Sequence, residues 1–218
     1  MPRFSNIVWD FNGTLLDDLH IVVDTINELL ERRDLQRRDD TFHRRYFAFP
    51  VATYYELIGF NLEAEDFEQV SHEYHNGYFR RFPFARLHQG AAELLADVVG
   101  SGARNFALSA MEEHALIESL ASLGIKDFFS GVYGLSDHRA HSKLQRGQDM
   151  IAEHGLEPAD TVFIGDTSHD MDVALATGMT PVGISIGHQS PERFDTERVQ
   201  VVNDFVELRN LLEVARQA

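Results

Sequence analysis

The chain has 218 residues, 44% hydrophobic and 25% charged, and these are proportions of a folded globular protein rather than a disordered or fibrous one. Its net charge of −16 repels phosphate backbones and anionic lipid headgroups, so we expect neither nucleic-acid nor membrane binding. The absence of cysteine excludes disulfides, thiolate zinc sites and cysteine nucleophiles. Without a signal peptide or an apolar run of about 18 residues, the sequence predicts a soluble cytoplasmic protein.

Short β-type runs alternate with helical patterns along most of the chain. The first run, 7–9, is followed by Asp10 and broken by Asn12 and Gly13. Further β-type runs lie at 105–108, 131–133, 161–164, 181–184 and 199–202, and helical patterns lie at 90–99, 112–123, 143–153, 171–177 and 204–216. This alternation predicts an α/β fold with a Rossmann-like parallel sheet, whose ligands bind beyond the carboxyl ends of the strands.

Residues 16–85 interrupt this alternation. Apolar residues follow helical spacing from Leu19 to Leu30, and further helical stretches succeed them without a convincing strand. We therefore expect an all-helical cap over 16–85, inserted into an α/β core formed by 1–15 and 86–218. Hinges between the two parts are expected near 16–17 and 84–86.

The segment 47–55 combines a proline with several aromatic residues, a composition suited to a rigid loop over a cleft. An equally open interpretation is that these aromatic side chains pack inside the helical bundle of the cap itself.

Polar side chains follow several predicted strands or open a helix, and they lie within 10–14, at Ser109, at Lys143 and within 165–170. Carboxylates of Asp10 and Asp166 at neighbouring strand ends would repel each other without a cation between them, and oxygen ligands suit Mg²⁺. Lys143 would add positive charge, and Ser109 with nearby backbone N–H groups would donate to phosphoryl oxygens. If Asp10 attacks phosphorus in line, it forms an aspartyl-phosphate that water then hydrolyses.

In these residues the chain resembles the haloacid dehalogenase superfamily, whose members are mostly Mg²⁺-dependent phosphatases. VWDFNGTLLDD is similar to the first motif of that family, ALSA to the second, SKLQRG to the lysine motif and FIGDTSHDMDVALATGM to the fourth. The helical segment after the first motif resembles the small cap of the phosphoglycolate-phosphatase-like and β-phosphoglucomutase-like branch.

The resemblance implies a role for each matching residue, with Mg²⁺ as cofactor. The candidate catalytic residues are Asp10, the nucleophile, together with Asn12 and Lys143. The candidate metal ligands are Asp10, the main-chain carbonyl of Asn12, and Asp166, with Asp170 supporting the metal shell. The candidate phosphate-binding residues are Ser109, Lys143, Gly13, Thr14 and Ala110.

One position departs from the family pattern. Family phosphatases carry an aspartate two residues after the nucleophile, as general acid and then base, whereas this chain has Asn12. Because an amide cannot transfer that proton, and such catalysis is worth about 10²–10⁴-fold, we expect slow turnover of poor leaving groups and a smaller loss for aryl or acyl phosphates. Asp17, Asp18, His169 or a cap residue could substitute, although we expect His169 to be an exposed histidine at a helix start.

These observations leave three functions open. The protein is a phosphatase of a small phosphorylated metabolite, a slow or inactive relative that binds phosphorylated ligands, or a 2-haloacid dehalogenase. The dehalogenase needs no metal, and the two acids of 165–170 argue against it. A phosphomutase is disfavoured by Asn12, and a phosphonoacetaldehyde hydrolase by the absence of lysine from 1–125. We expect a small phosphorylated substrate and a monomer or weak homodimer.

Overall fold

The computed structural model describes residues 2–135 and 142–215. The strands are β1 (Asn6–Trp9), β2 (Leu16–Asp17), β3 (Arg86–Leu87), β4 (Arg104–Glu112), β5 (Phe129–Leu135), β6 (Thr161–Gly165), β7 (Thr180–Ile184) and β8 (Gln200–Val202). The helices are α1 (Leu19–Glu31), α2 (Asp40–Tyr46), α3 (Val51–Ile58), α4 (Phe67–Arg81), α5 (Ala91–Gly100), α6 (Glu113–Ser122), α7 (Lys143–His154), α8 (Ser168–Thr177) and α9 (Phe205–Leu212).

The main sheet has six parallel strands in the order β5-β4-β1-β6-β7-β8. Strand β1 lies between β4 and β6, and Trp9 is in register with Ala107 on one side and Ile164 on the other. The carboxyl ends of these three strands therefore meet at one edge of the sheet. This arrangement confirms the predicted α/β fold with a Rossmann-like parallel sheet, and it places the segments after β1 and β6 side by side.

Strand β1 is fully buried, as its apolar sequence predicts for a strand covered on both faces. The indole N–H of Trp9 donates to Asn105 Oδ1 at 2.9 Å, so its one polar group is satisfied inside the core. Its ring stacks on Phe205 of α9, with centroids 6.3 Å apart. These contacts hold the strand that precedes Asp10 in a fixed position.

Several predicted boundaries are wrong. Strand β4 continues to Glu112, so Ser109 and Ala110 lie within it, because a register shift after Leu108 lets Glu112 pair with Leu135. Helix α9 ends at Leu212, since Glu213 has a left-handed conformation with φ of 54°; residue 216, the predicted end, lies outside the described residues.

Helix α8 begins at Ser168, three positions before the predicted start at 171. Thr167 and Asp170 form a reciprocal capping box there, and the polar residues of this first turn interrupt the apolar pattern from which the start was predicted.

Helices α1 to α4 follow one another between β2 and β3, and these two short strands pair antiparallel, with Leu16 opposite Leu87. Strand β2 corrects the expectation that 16–85 is helical throughout. The ribbon lies where the hinges are expected, and the cap boundaries remain our prediction. Within the described residues, no helix is both long and apolar enough to cross a lipid bilayer.

Candidate active site

The site lies at the carboxyl edge of the sheet, where β1, β4 and β6 end. Asp10 directly follows β1, Asp166 directly follows β6, and Lys143 and Asp170 lie in the first turns of α7 and α8. All four side chains are buried. Residues from three distant parts of the sequence are thus brought together by parallel strand order and by the helices that return to this edge.

Lys143 connects two of the carboxylates. Its ammonium donates to Asp10 Oδ1 and, at 2.6 Å, to Asp170 Oδ1, and it lies 5.3 Å from the ring centroid of Phe163. Burial alone would lower the pKa of Lys143, but the charges of Asp10 and Asp170 outweigh it and the pKa is raised. The lysine is therefore a permanent cation within the site.

The cluster contains more acidic groups than cationic ones, because three carboxyl groups surround the single ammonium of Lys143. Burial raises the pKa of Asp10 to about 8 despite the charge of Lys143, and burial raises the pKa of Asp166 to about 6 despite His188. Oxygen atoms of Asp10, Asp166 and Asp170 all lie within 4.8 Å of one another. Three buried carboxylates beside one ammonium group fit a divalent cation that prefers oxygen ligands, such as Mg²⁺.

Asp166 is held in place by hydrogen bonds to both of its oxygens. Thr14 donates its hydroxyl to Oδ1 at 3.0 Å, and the backbone N–H of His188 donates to Oδ2 at 2.6 Å. Gly13 and Gly187 pack against the same carboxylate so closely that a Cβ atom on either would overlap Oδ2. The structure thus places two of the predicted phosphate-binding residues, Gly13 and Thr14, against Asp166.

The side chain of Asn12 points into a buried network. Its amide donates to Asp18 Oδ2 at 2.7 Å and to the Tyr78 hydroxyl at 2.8 Å, and that hydroxyl donates to Asp18 Oδ2 at 2.7 Å. The backbone N–H of Gly13 donates to Asp18 Oδ1 at 2.9 Å. Asn12 therefore acts as a hydrogen-bond donor that ties the segment after β1 to helix α4.

His188 completes this network from the other side. Its Nε2 lies 3.1 Å from Asp18 Oδ1, and both side chains are buried. Burial alone would lower the pKa of His188, but Asp18 raises it to about 9. Burial alone would raise the pKa of Asp18, but His188 and the hydrogen bonds of Asn12 and Tyr78 lower it. Sequence reasoning missed His188, because no local motif marks a residue 170 positions from its partner.

The other suggested substitutes for the family aspartate differ in exposure. Asp17 is exposed on the β2–β3 ribbon, and Asp18 is occupied by His188, Asn12 and Tyr78. His169 is half-buried rather than exposed, because its ring packs on Phe49 with centroids 4.8 Å apart.

The predicted residues of the second motif, Ser109 and Ala110, line the same cleft as Asp10 and Lys143. Ser109 is buried, and its Oγ accepts from the backbone N–H of Met111 at 3.1 Å. Ser109, Ala110 and Met111 line a cleft of about 570 Å³ that also contains Asp10, Lys143 and the inner faces of the cap helices. This volume lies within the usual range for small-molecule sites.

The loop between β7 and β8 joins the cap to the core. Gln189 donates its amide to the carbonyl of Phe47 at 2.8 Å, and the N–H of Ser190 donates to the carbonyl of Arg44 at 2.9 Å. The Arg44 guanidinium donates back to the carbonyl of Ser185 at 2.6 Å. Helix α2 and the segment after it are thereby held over the edge of the sheet.

A family model, named relatives and solved structures are all similar to this chain. The family model described as haloacid dehalogenase-like hydrolase matches residues 7–184. The chain is 25% identical over 220 residues to a 5'-nucleotidase from Pseudomonas aeruginosa, covering 97% of this chain and 96% of that protein. It is 25% identical over 187 residues to a phosphoglycolate phosphatase from Synechococcus elongatus, covering 83% of this chain and 84% of that protein. The solved structure of protein tyrosine kinase A from Mycobacterium tuberculosis is similar with a TM-score of 0.83 and 25% identity, covering 97% of this chain and 99% of that chain.

Proposed function

Because the chain belongs to the haloacid dehalogenase-like hydrolases, and relatives named 5'-nucleotidase and phosphoglycolate phosphatase match 97% and 83% of it, we propose that it is a Mg²⁺-dependent phosphatase of a small phosphorylated substrate. Asp10 is the proposed nucleophile. The observation that carries this proposal is the convergence of Asp10, Asp166, Asp170 and Lys143 in one buried cluster at the carboxyl edge of the sheet.

The proposed reaction has two steps. A carboxylate oxygen of Asp10 attacks phosphorus, the bond between phosphorus and the leaving oxygen breaks, and the leaving oxygen then takes up a proton. Water next attacks the phosphorus of the aspartyl-phosphate, the bond to Asp10 breaks, and inorganic phosphate departs. Because Asn12 cannot supply the first proton, the leaving oxygen departs without help from that position.

The chain's own residues prepare both steps. Asp10, Asp166 and the main-chain carbonyl of Asn12 would hold Mg²⁺, with Asp170 supporting them. When bound, this ion would neutralise charge on the phosphoryl oxygens. Lys143 keeps a positive charge beside Asp10, and Ser109 lies at the same edge as a hydroxyl donor.

The decisive experiment measures inorganic phosphate released from acetyl phosphate, a small activated substrate, with Mg²⁺ and with EDTA. We expect Mg²⁺-dependent release that Asp10→Asn lowers by at least about 10³-fold, because the nucleophile is lost. Asp172→Asn, an exposed position on α8, is the matched control and should retain full activity.

Three outcomes would contradict this function. Phosphate release that persists in Asp10→Asn would exclude Asp10 as the nucleophile. Phosphatase activity found only in Asn12→Asp would instead indicate that the wild-type protein binds phosphorylated ligands without turnover. Halide release from a 2-haloacid in EDTA would favour a dehalogenase.

A further inference from the structure

The cleft above the phosphoryl site has walls made largely of aromatic rings from the cap. Phe49, Phe67 and Phe79 line it, and these large apolar side chains are 37%, 39% and 40% exposed. Most exposed hydrophobic residues are scattered singly and carry no meaning. Here three aromatic rings from different cap segments face the same cavity, which marks the cavity wall as a surface for an apolar ligand.

The rest of the cleft wall is also largely apolar. Val22, Ile26, Val51 and Tyr74 contribute from the cap, whereas Met111 and Leu135 contribute from the core. Tyr74 stacks on Tyr78 with centroids 6.0 Å apart, and Phe79 meets the edge of Tyr78 at 5.4 Å. Because the Tyr78 hydroxyl is fixed by Asp18, this aromatic surface is rigid at its deep end. Rigid aromatic rings favour a planar aromatic partner.

Charged groups in the cleft give a second anionic group little support. Among the described lining residues there is no arginine, and the one lysine, Lys143, already contacts Asp10 and Asp170. Of the two histidines among the described lining residues, His188 is paired with Asp18 and His75 packs edge-on against the ring of Tyr74. A substrate whose leaving group carries a carboxylate or another phosphate would therefore meet no unpaired lysine or arginine among the described residues of the cleft, and the net charge of −16 would oppose it further.

The hydrogen bonding of Asn12 is a separate observation that also favours a phenol as the leaving group. Its amide is committed as a donor to Asp18 and Tyr78, so position 12 supplies no proton to a leaving group. A phenol has a pKa near that of tyrosine, about 10, well below that of an aliphatic alcohol, and its phenolate departs without protonation. The aromatic cleft and the absence of a proton donor at position 12 therefore both favour a phosphate ester of a phenol.

On the basis of the phosphatase function above, we propose that the natural substrate class is the aryl phosphates, monoesters of an uncharged phenol whose ring lies between Phe49, Phe67 and Phe79. The phosphoryl group lies at Asp10 and Lys143, and the apolar ring fills the cap side of the cleft. Phosphoglycolate and hexose monophosphates are poor substrates by the same reasoning, because their carboxylate or hydroxyl groups would be desolvated against aromatic walls.

The test is a kcat/KM comparison on the wild-type protein with Mg²⁺, using naphthyl phosphate, phenyl phosphate, phosphoglycolate and a hexose monophosphate. We expect naphthyl phosphate to exceed phosphoglycolate by at least about 100-fold. It should exceed phenyl phosphate by about 10-fold, since the leaving groups are similar and only the buried apolar area differs. A hexose monophosphate or phosphoglycolate that equals naphthyl phosphate would overturn the inference.

Variants separate the cleft from the chemistry. Phe79→Ala should lower the ratio of naphthyl phosphate to acetyl phosphate turnover about 10-fold, mainly through KM. Leu57→Ala is the control, because Leu57 is an exposed apolar residue of α3 outside the cleft. An unchanged ratio in both Phe79→Ala and Phe67→Ala would overturn the assignment of the wall.

Failure of this inference is distinguishable from failure of the proposed function. Acetyl phosphate reports the chemistry without occupying the aromatic wall, so its hydrolysis together with poor naphthyl phosphate turnover contradicts only the inference. If no substrate is hydrolysed, calorimetric titration of Asp10→Asn with naphthyl phosphate and with phosphoglycolate still tests the cleft. Tighter binding of naphthyl phosphate supports the inference, and equal or weaker binding overturns it.

Discussion

Asn12 is the residue at which this chain departs from the family pattern, and the structure gives it a definite physical role. Its amide donates to the buried carboxylate of Asp18 and to the Tyr78 hydroxyl, so it satisfies a charge that lies beside the active site. An aspartate at the same position would have no proton to donate once ionised. The amide of Asn12 is therefore matched to the carboxylate of Asp18.

We expect Asn12→Asp to lower the free energy of unfolding by about 3 kcal/mol at mildly alkaline pH, because two carboxylates would replace a hydrogen bond of 2.7 Å. Urea denaturation followed by the fluorescence of Trp9, the single tryptophan, measures this loss. Equal stability of Asn12→Asp and wild type would contradict this role of Asn12.

The ion pair of His188 with Asp18 should make stability depend on pH. The pKa of His188 is raised from 6.5 to about 9 in the folded protein. Its contribution is therefore fully present below about pH 6.5 and is lost as the pH rises through about 9, a difference of roughly 3 kcal/mol. In EDTA, the stability difference between wild type and His188→Gln should shrink over that interval. A difference that does not change with pH would show that the histidine stays uncharged.

At the scale of elements, two helix starts and one loop position the site. Ser142 caps α7 by accepting from the N–H of Gln145 at 3.3 Å, and Thr167 caps α8. Lys143 and Asp170 consequently lie in first turns whose orientation is set by local hydrogen bonds. The loop after β7 fixes Asp166, because the backbone N–H of His188 donates to its carboxylate and Gly187 packs closely against it.

We expect Gly187→Ala to weaken Mg²⁺ binding by at least about 10-fold, because the added methyl group would overlap both the Asp166 carboxylate and the Gly13 carbonyl. Gly102→Ala is the matched control: φ is +86° there and an alanine is strained, but no atom lies near its Cβ position, so Mg²⁺ affinity should not change. Isothermal titration calorimetry measures both variants. Unchanged affinity in Gly187→Ala would contradict the proposed ligand role of Asp166.

At the scale of the whole molecule, the acidic cluster joins strands and helices that are remote in sequence, so its charge balance should affect global stability. Three buried carboxylates beside one ammonium repel one another unless a cation is bound. We expect Mg²⁺ at about 100 times its Kd to raise the free energy of unfolding by about 2.7 kcal/mol, and Asp166→Asn to abolish most of this gain. Thermal unfolding with Mg²⁺ and with EDTA measures it. Equal Mg²⁺ stabilisation of Asp166→Asn and wild type would contradict the metal site.

The sequence by itself determined the features that depend on neighbouring residues. The apolar run before Asp10, the helical spacing from Leu19 to Leu30 and the order of strands and helices predicted the α/β fold, because burial imposes a period on each element. The same local patterns placed Asp10, Lys143, Asp166 and Asp170 at strand ends or helix starts, and parallel strand order then predicted that they meet.

Only the tertiary structure decided what lies between distant segments. His188 and Asp18 are 170 positions apart, and Tyr78 reaches Asn12 from a helix whose local pattern contains no sign of that contact. The extension of β4 through Ser109 depends on its register with β5, which no single strand encodes. Packing energies act across space between segments that have no fixed separation in the chain, so such pairings follow from the assembled fold and not from any local pattern of residues.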